Sequence, residues 1–350
     1  MIPTLDELNQ LKEQKLVNCQ RHPEASLTIW NYTNKCQFGR DWNGVTTAAR
    51  GLILDDAGKV VSRSFKKFWN YGERPEDAIP DCPFKVMDKL DGSLGVLFLV
   101  NGEPAIATRG SFTGEQAVVG TRIFRERYAN YKPPEGFTAV FEIVYPADRK
   151  VVDYGNTEDL FHLGLVDNAT GLVQFDLDHN WPGPCVQTLD NHLVPGKLER
   201  LLEDEVPNCE GYVVRWQNGF QLKIKLKEYL RVFKIMYQTS TKSIWEVLSA
   251  GRDLDYLLTD APDEVQPFIK QHGTDLLRQF SEVESQALFM FGNISTIAKN
   301  RKDFATHAMR TGFAPVLFAL LDGKNYSKII WKMLEPDWIP AKAISGEDVA

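Results

Sequence analysis

The 350-residue chain carries 40 Lys or Arg against 47 Asp or Glu, a formal charge of −7, with 43% hydrophobic and 25% charged residues. That balance excludes a basic protein coating nucleic acid and an acidic disordered chain, and the length suits about two domains, each able to bury a core. No apolar run approaches the roughly 18–20 residues of a membrane span. The segment Met1-Ile2-Pro3-Thr4-Leu5-Asp6-Glu7 has neither the basic nor the apolar region of a secretory signal. Cys19, Cys36, Cys82, Cys185 and Cys209 are odd in number and never spaced Cys-x-x-Cys. They point away from a zinc site and a disulfide framework, toward a reducing, cytoplasmic setting, and the lack of a spanning run adds the expectation of no membrane.

In chain order, the first two thirds read as β-rich. Strands are expected around Leu52-Ile53-Leu54, Leu94 to Val100, Ala139 to Val144 and Tyr212 to Trp216, with Gly, Asn, Asp and Pro turn signals between them. Asn101-Gly102 and Asn218-Gly219 suit type I′ hairpin turns, where both central residues need positive φ. Glu115 to Tyr131 is the best helix in this part, and Lys197 to Glu205 a further candidate. Beyond about residue 235 the pattern turns helical. Ser243-Ile244-Trp245-Glu246 has the form of a capping box, with Gly251 placed as a stop. Leu276, Leu277, Phe280, Val283, Ala287, Leu288 and Phe291 recur at helical spacing, as do Val316, Leu317, Leu320 and Leu321. No strand is expected from 243 to 350. The expected organisation is an α+β domain over residues 1–238 and an all-helical domain over 239–350. Neither repeats nor low-complexity segments are evident.

The sharpest motif is Lys89-Leu90-Asp91-Gly92-Ser93. Lys-x-Asp-Gly-Ser arises by chance in well under about 1% of chains this long. Taken alone, it could be a surface Asp-Gly turn. A lysine before a tight glycine turn and a buried strand is also how a covalent nucleotidyltransferase presents its nucleophile. The lysine amine attacks the α-phosphate of a nucleoside triphosphate and expels pyrophosphate. Free lysine titrates near 10.4, so cationic neighbours and partial desolvation are expected to lower the Lys89 pKa.

Cations are available downstream. Glu210-Gly211-Tyr212-Val213 begins a strand, the chain turns at Asn218-Gly219, and Gln221 to Lys227 returns. Period-two alternation puts Lys223, Lys225 and Lys227 on one face and Leu222, Ile224 and Leu226 on the other. An ordinary solvated edge strand would show the same alternation; the functional alternative is a pair of lysines neutralising an α-phosphate. Glu142 interrupts the apolar run Phe141 to Val144, facing either solvent or a cleft. Arg50-Gly51 and Lys66-Lys67-Phe68-Trp69-Asn70 add cations upstream.

In order and spacing these elements resemble the ATP-dependent covalent nucleotidyltransferases, and most closely the bacteriophage T4 RNA ligase 1-like family. Lys89 to Ser93 matches the first motif, Phe141-Glu142 the third, Glu210-Gly211 the fourth and Lys223-Ile224-Lys225 the fifth. Arg50-Gly51, Lys67-Phe68-Trp69-Asn70 and Arg109-Gly110-Ser111 are also similar, although the family type has lysine where Arg109 stands. So are Gly114 to Ala117, Pro146, Arg149, and Ala308-Met309 through Ile330.

The resemblance implies an α+β nucleotidyltransferase domain of antiparallel sheets around an ATP cleft, followed by an all-helical C-terminal domain. Lys89 would be adenylated. Glu142 and Glu210 would hold the ribose or order water around Mg²⁺ (or Mn²⁺), Lys223 and Lys225 engage the α-phosphate, and Arg50 and Lys67 steer the β- and γ-phosphates. Arg109 would lie beside the nucleotide or the RNA 5′-phosphate. Magnesium suits largely aquated oxygen coordination, with no dense ligand cluster.

The implied reaction joins RNA 3′-hydroxyl and 5′-phosphate ends, with cleaved tRNA as a candidate substrate for the helical domain. DNA ligases and capping enzymes usually continue with an OB-fold, which the helical pattern after Lys227 disfavours. A catalytically idle RNA-end binder is the alternative from another class. No Gly-x-x-x-x-Gly-Lys-[Ser/Thr] loop is present, so the ends are expected either to come ready or to be healed by a separate kinase/phosphatase. Isolated His162, His272 and His307 read as structural or surface residues. The net charge also conceals an uneven distribution. Glu210 to Lys242 has seven Lys or Arg against two Glu, while Asp253 to Gln286 has eight acids against two bases. A positive cleft can therefore coexist with an acidic protein.

Overall fold

A computed structural model of the chain describes residues 2–74, 78–189, 198–259, 261 and 265–342. The chain divides into two compact units, residues 1–230 and 231–349. In the first unit, α1 (Leu5–Glu13) starts from a Thr4/Glu7 capping box and leads into β1 (Val17–Arg21) and β2 (Leu27–Tyr32). Two short helices, α2 (Asn34–Gly39) and α3 (Gly44–Ala48), separate β2 from β3 (Arg50–Asp55), and β4 (Val60–Ser62) follows. These strands form an antiparallel sheet in the order β1-β2-β3-β4. Leu8, Val17, Trp30, Leu52 and Leu54 pack together on α1, while Ile29 and Ile53 pack with Val96, Phe98 and Phe112.

Next come β5 (Trp69–Asn70), β6 (Phe84–Asp88), β7 (Ser93–Val100) and β8 (Glu103–Ala107). The Asn101-Gly102 turn between β7 and β8 has positive φ at both residues, 52° and 87°, as a type I′ hairpin requires. Helix α4 (Glu115–Arg127) precedes β9 (Phe137–Val144) and β10 (Asp159–Asp167), giving the antiparallel sheet β10-β9-β7-β8. Ile123 and Phe124 of α4 bury against Phe141, Ile143, Leu160 and Trp181. Truncating such a ring to alanine costs about 3–5 kcal/mol.

A third sheet collects β11 (Thr188–Leu189), β6, β12 (Gly211–Trp216), β13 (Gln221–Lys225) and β5, in the order β11-β6-β12-β13-β5. Its β13–β5 pair is parallel and joins Lys223 to Asn70. Short α5 (Leu198–Leu201) replaces the longer helix expected there, Lys197 lying outside the described residues. The Asn218-Gly219 turn differs from expectation, since only Gly219 has positive φ. Trp216 and Phe220 close a three-residue loop, and the Asn218 side chain accepts from the Phe220 amide at 3.0 Å. A type I turn followed by a left-handed glycine matches the strand twist equally well.

Helix α6 (Lys227–Gln238) crosses the division between the units. Lys227 starts this helix and is exposed, so the expected three-lysine face shrinks to Lys223 and Lys225. The second unit is helical: α7 (Thr241–Ser249), α8 (Leu254–Leu258), α9 (Gln266–Ile297), α10 (Arg301–Ala308), α11 (Ala314–Leu321) and α12 (Ser327–Met333). Ser240 caps α7 and Ser243 is its reciprocal partner, so the helix begins earlier than the Ser243-x-x-Glu246 pattern suggests. Gly251 does follow the α7 C-cap with φ 82°. Ala287, Ile294, Phe304, Val316, Leu317 and Ile330 bury the contacts of α9 with the last three helices. Among the described residues no strand lies beyond 243, and no helix is long and apolar enough to cross a membrane.

Candidate active site

The candidate site belongs to the first unit and begins with Lys89, between β6 and β7. Its amide donates to the Gly211 carbonyl at 2.8 Å, tying the loop to the start of β12. Its ammonium donates to Glu210 Oε2 at 2.7 Å, while Lys225 Nζ lies 3.1 Å from Glu210 Oε1. One buried carboxylate thus bridges two lysines from separate parts of the chain, the β6–β7 loop and the end of β13. Burial opposes ionisation of Glu210, but Lys89 and Lys225 outweigh it and hold the carboxyl below its ordinary range.

Burial also pulls the Lys89 pKa down, yet Glu210, Glu142 and Asp91 prevail and hold it above the ordinary lysine value. The expectation of a cation-lowered nucleophile is therefore corrected: in this state Lys89 is an ion-paired ammonium. The lysine crowded by cations is Lys223. Burial, then Lys67, Lys89, Lys225 and Arg50, push it well below the ordinary value.

The loop carrying Lys89 is fixed almost residue by residue. The Asp91 amide donates to Tyr154 Oη at 2.8 Å, the Gly92 amide to Glu142 Oε1 at 3.0 Å, and Ser93 Oγ to Asp148 Oδ2 at 2.7 Å. Asp91 Oδ2 accepts from the amides of Val151 and Val152 at 2.8 and 2.9 Å, and Asp91 Oδ1 from Tyr229 Oη at 2.8 Å. Asp148 also accepts from Gln116 and pairs with Lys150. Gly92 is required by close approach, since a Cβ there would lie 2.4 Å from the Ile143 carbonyl oxygen. Glu142 stands on β9 opposite Leu94 of β7. Burial, opposed by Lys89 and reinforced by Glu210, pushes its carboxyl up to about 7.

A second group of cations surrounds buried Tyr32 at the end of β2. Arg109 donates to Tyr32 Oη at 3.1 Å and has its guanidinium 5.0 Å from the ring centre. Lys67 Nζ lies 5.8 Å from the same centre and 5.4 Å from the Trp42 ring centre. Arg50 donates to Ser64 Oγ at 3.3 Å. Burial raises the Tyr32 pKa, but Arg109, Arg50 and Lys67 outweigh it and bring the phenol below its ordinary value. Burial lowers Lys67 as well, with Arg50 adding to the effect.

The structure thus joins Lys89, Glu210 and Lys225 directly and brings Glu142 to them through the Gly92 amide. Lys223 feels the charges of Lys89 and Lys225 in the first group and of Lys67 and Arg50 in the second. Sequence reading did not single out Tyr32, Trp42, Asp91, Asp148, Tyr154 or Tyr229. Asp91 was within the motif, and Tyr229 lies in the first turn of α6, just after the Lys225 strand; the others have no local signal. Isolated His162 is a structural residue, fully buried between Phe141 and Trp181 with neither ring nitrogen hydrogen-bonded, and burial pushes its pKa down to about 4.

Comparison with known proteins gives this arrangement a family. A Thermovibrio ammonificans protein carrying an RNA ligase name is 29% identical over 62% of this chain and 57% of its own length. The RNA ligase of Rhodothermus phage RM378 is 22% identical over 89% of this chain and 90% of its own. The chain thus spans just over half of the Thermovibrio protein and most of the phage protein. A Naegleria gruberi RNA ligase structure superposes with a TM-score of 0.35 at 16% identity, over 42% of this chain and 51% of that one. The RNA ligase family model matches residues 48–230, which hold Lys89, Glu142, Glu210, Lys223 and Lys225. The chain belongs to the RNA ligase family.

Proposed function

We propose that this protein is an ATP-dependent RNA ligase that joins 3′-hydroxyl and 5′-phosphate ends through a lysyl-AMP on Lys89. The observation carrying this reading is the Lys89–Glu210–Lys225 bridge, with buried Lys223 within reach of its lysines and of Lys67 and Arg50. Deprotonated Lys89 Nζ attacks the α-phosphorus of ATP; a P–N bond forms, the bond to the β-phosphate breaks, and pyrophosphate leaves. Lys223 and Lys225 neutralise the α-phosphate, and Arg50 and Lys67 hold the departing phosphates. The RNA 5′-phosphate then displaces Lys89 from AMP, and the 3′-hydroxyl attacks that activated phosphate and releases AMP.

Lys89 becomes nucleophilic only when Glu210 turns its charge elsewhere. Glu142 and Glu210 fit a hard divalent cation such as Mg²⁺ or Mn²⁺. Both are carboxylates, and Glu142, raised chiefly by burial and further by the charges of Glu210 and Asp91, would ionise more readily beside a cation. Among the described residues no group of three His, Cys, Asp or Glu could enclose a metal, so these two would hold it largely through water. When bound, such a cation offsets phosphate charge and competes with Lys89 for Glu210.

Cleaved tRNA is the proposed substrate, and the helical unit, taken as residues 239–350, is proposed to select it. A baculovirus relative, 30% identical over 44% of this chain and 26% of its own length, is named for a polynucleotide kinase joined to an RNA ligase. Here end healing is assigned to a separate protein. The test is incubation with a divalent metal and ATP labelled in the α-phosphate. Label should stay on the wild type through denaturation and be absent from Lys89→Ala. No adduct with either metal would refute the enzyme and leave an RNA-end binder.

A further inference from the structure

The edge of the cation cluster carries an aromatic corner that ATP chemistry leaves unused. Trp42 stands in the α2–α3 connection, and its ring meets Tyr32 at 4.9 Å and 80° and Trp69 at 6.2 Å and 89°. The connection is built to hold it. Arg40 ends α2 in the left-handed conformation at φ 57°, and the Trp42 amide donates to the Arg40 carbonyl at 2.8 Å. The Asn43 side chain caps α3 by accepting from the Val45 and Thr46 amides at 2.8 and 2.9 Å. Thr46 Oγ1 in turn accepts from the Asn43 amide at 2.8 Å. Both indole rings are half-buried, with the Lys67 ammonium 5.4 Å from the centre of Trp42 and the Arg74 guanidinium 4.5 Å from that of Trp69.

Partly exposed aromatic rings beside phosphate-binding cations are how proteins grip an unpaired nucleotide end. The base stacks on the ring while the cations take its phosphate, with little sequence preference. We propose that Trp42, supported by Trp69, stacks the base of the 5′-terminal nucleotide of the RNA being joined. The inference rests on the RNA-joining reading and deepens it. In that reading ATP lies with its α-phosphate at Lys89 and its β- and γ-phosphates toward Lys67. Adenine is attached on the α side, so the Trp42 corner lies past the pyrophosphate end. That end empties in the first step, before the RNA phosphate arrives in the second.

The test isolates the second step. Protein already carrying labelled AMP is mixed with 5′-phosphorylated single-stranded RNA whose terminal nucleotide is either intact or abasic, and label transfer is followed as RNA concentration varies. Molecules that cannot fold or adenylate never enter the measurement. Base–aromatic stacking predicts that wild type needs about ten-fold or more abasic RNA for half-saturation. In Trp42→Ala the two RNAs should differ by less than about two-fold, and Trp42→Phe should restore much of the difference. Equal use of both RNAs by wild type, or undiminished discrimination by Trp42→Ala, overturns the assignment. A rise in the ATP requirement for adenylation of Trp42→Ala that matches its effect on RNA assigns the ring to ATP instead. Absence of any AMP adduct on wild type refutes the RNA-joining reading, and this inference with it.

Discussion

Replacing Glu210 by glutamine tests how the Lys89 ammonium is held. The Glu210 side chain is 3% exposed and reaches Lys89 at 2.7 Å and Lys225 at 3.1 Å. Glutamine keeps the shape and one acceptor oxygen but leaves two ammonium groups facing a neutral amide. Removing one partner of a buried pair costs about 3–5 kcal/mol. The lysine side chains keep 21% and 17% exposure, which lets water recover part of that loss. We therefore expect a destabilisation of about 2–3 kcal/mol, or roughly 5–10 °C in the Tm of a unit this size. The same change should lower the Lys89 pKa, because its strongest carboxylate neighbour is gone while burial remains. Methyl carbon NMR of reductively methylated protein, with Lys89→Arg to assign the signal, follows that titration directly. A Glu210→Gln protein that melts like wild type and titrates Lys89 at the wild-type value would refute the bridge as an energetic feature.

Two further substitutions separate opposing pH effects in one acid window. Glu142 sits at about 7 against an ordinary 4.5, so its neutral form favours the fold and that stability is lost as pH rises from about 4.5 through 7. Glu142→Gln should remove up to about 3 kcal/mol of this slope, read from urea midpoints across the range. His162 sits at about 4 against 6.5, so its contribution is intact above 6.5 and lost as pH falls through about 4. His162→Phe should flatten that acid limb, and a limb as steep as wild type's would count against the buried neutral imidazole. Lys223→Met should raise the stability of the free protein by about 1–2 kcal/mol, since it replaces a buried cation whose strongest charged influences are other cations, while abolishing ATP-dependent labelling. In Gly92→Ala the new Cβ would meet the Ile143 oxygen at 2.4 Å, so the loop must shift. Labelling should fall about 100-fold or more with a cooperative melt retained; near-normal labelling would show the loop tolerates displacement.

What could be read from the sequence was what is local. Lys89 to Ser93, the strand around Glu142 and the helical periodicity of α9 are contiguous patterns, and each is found where the pattern lies. Turn chemistry was legible at Asn101-Gly102 but not at Asn218-Gly219, where two loop types accept the same dipeptide. Protonation was not legible. The alternating lysines were visible, but whether Lys89 faces carboxylates or cations depends on Glu210 projecting from the neighbouring chain segment. Tyr32 and Trp42 left no signal because their meaning comes from Lys67 and Arg109, and an aromatic residue near a strand end is ordinarily core.

The parallel pairing of β5 with β13 has a consequence for the protein as it is made. It sets Trp69 beside Leu222 and Asn70 beside Lys223. A growing chain that has reached Arg109 already contains Arg50, Lys67 and Lys89, yet it has neither Glu210 to anchor Lys89 nor the strand that docks β5. Closing so long a loop is slow compared with forming local hairpins such as β7–β8. Under the proposed lysyl-AMP reaction, a nascent or truncated chain that lacks Glu210 and β13 carries Lys89 without the groups that hold it, and is not expected to charge itself with AMP.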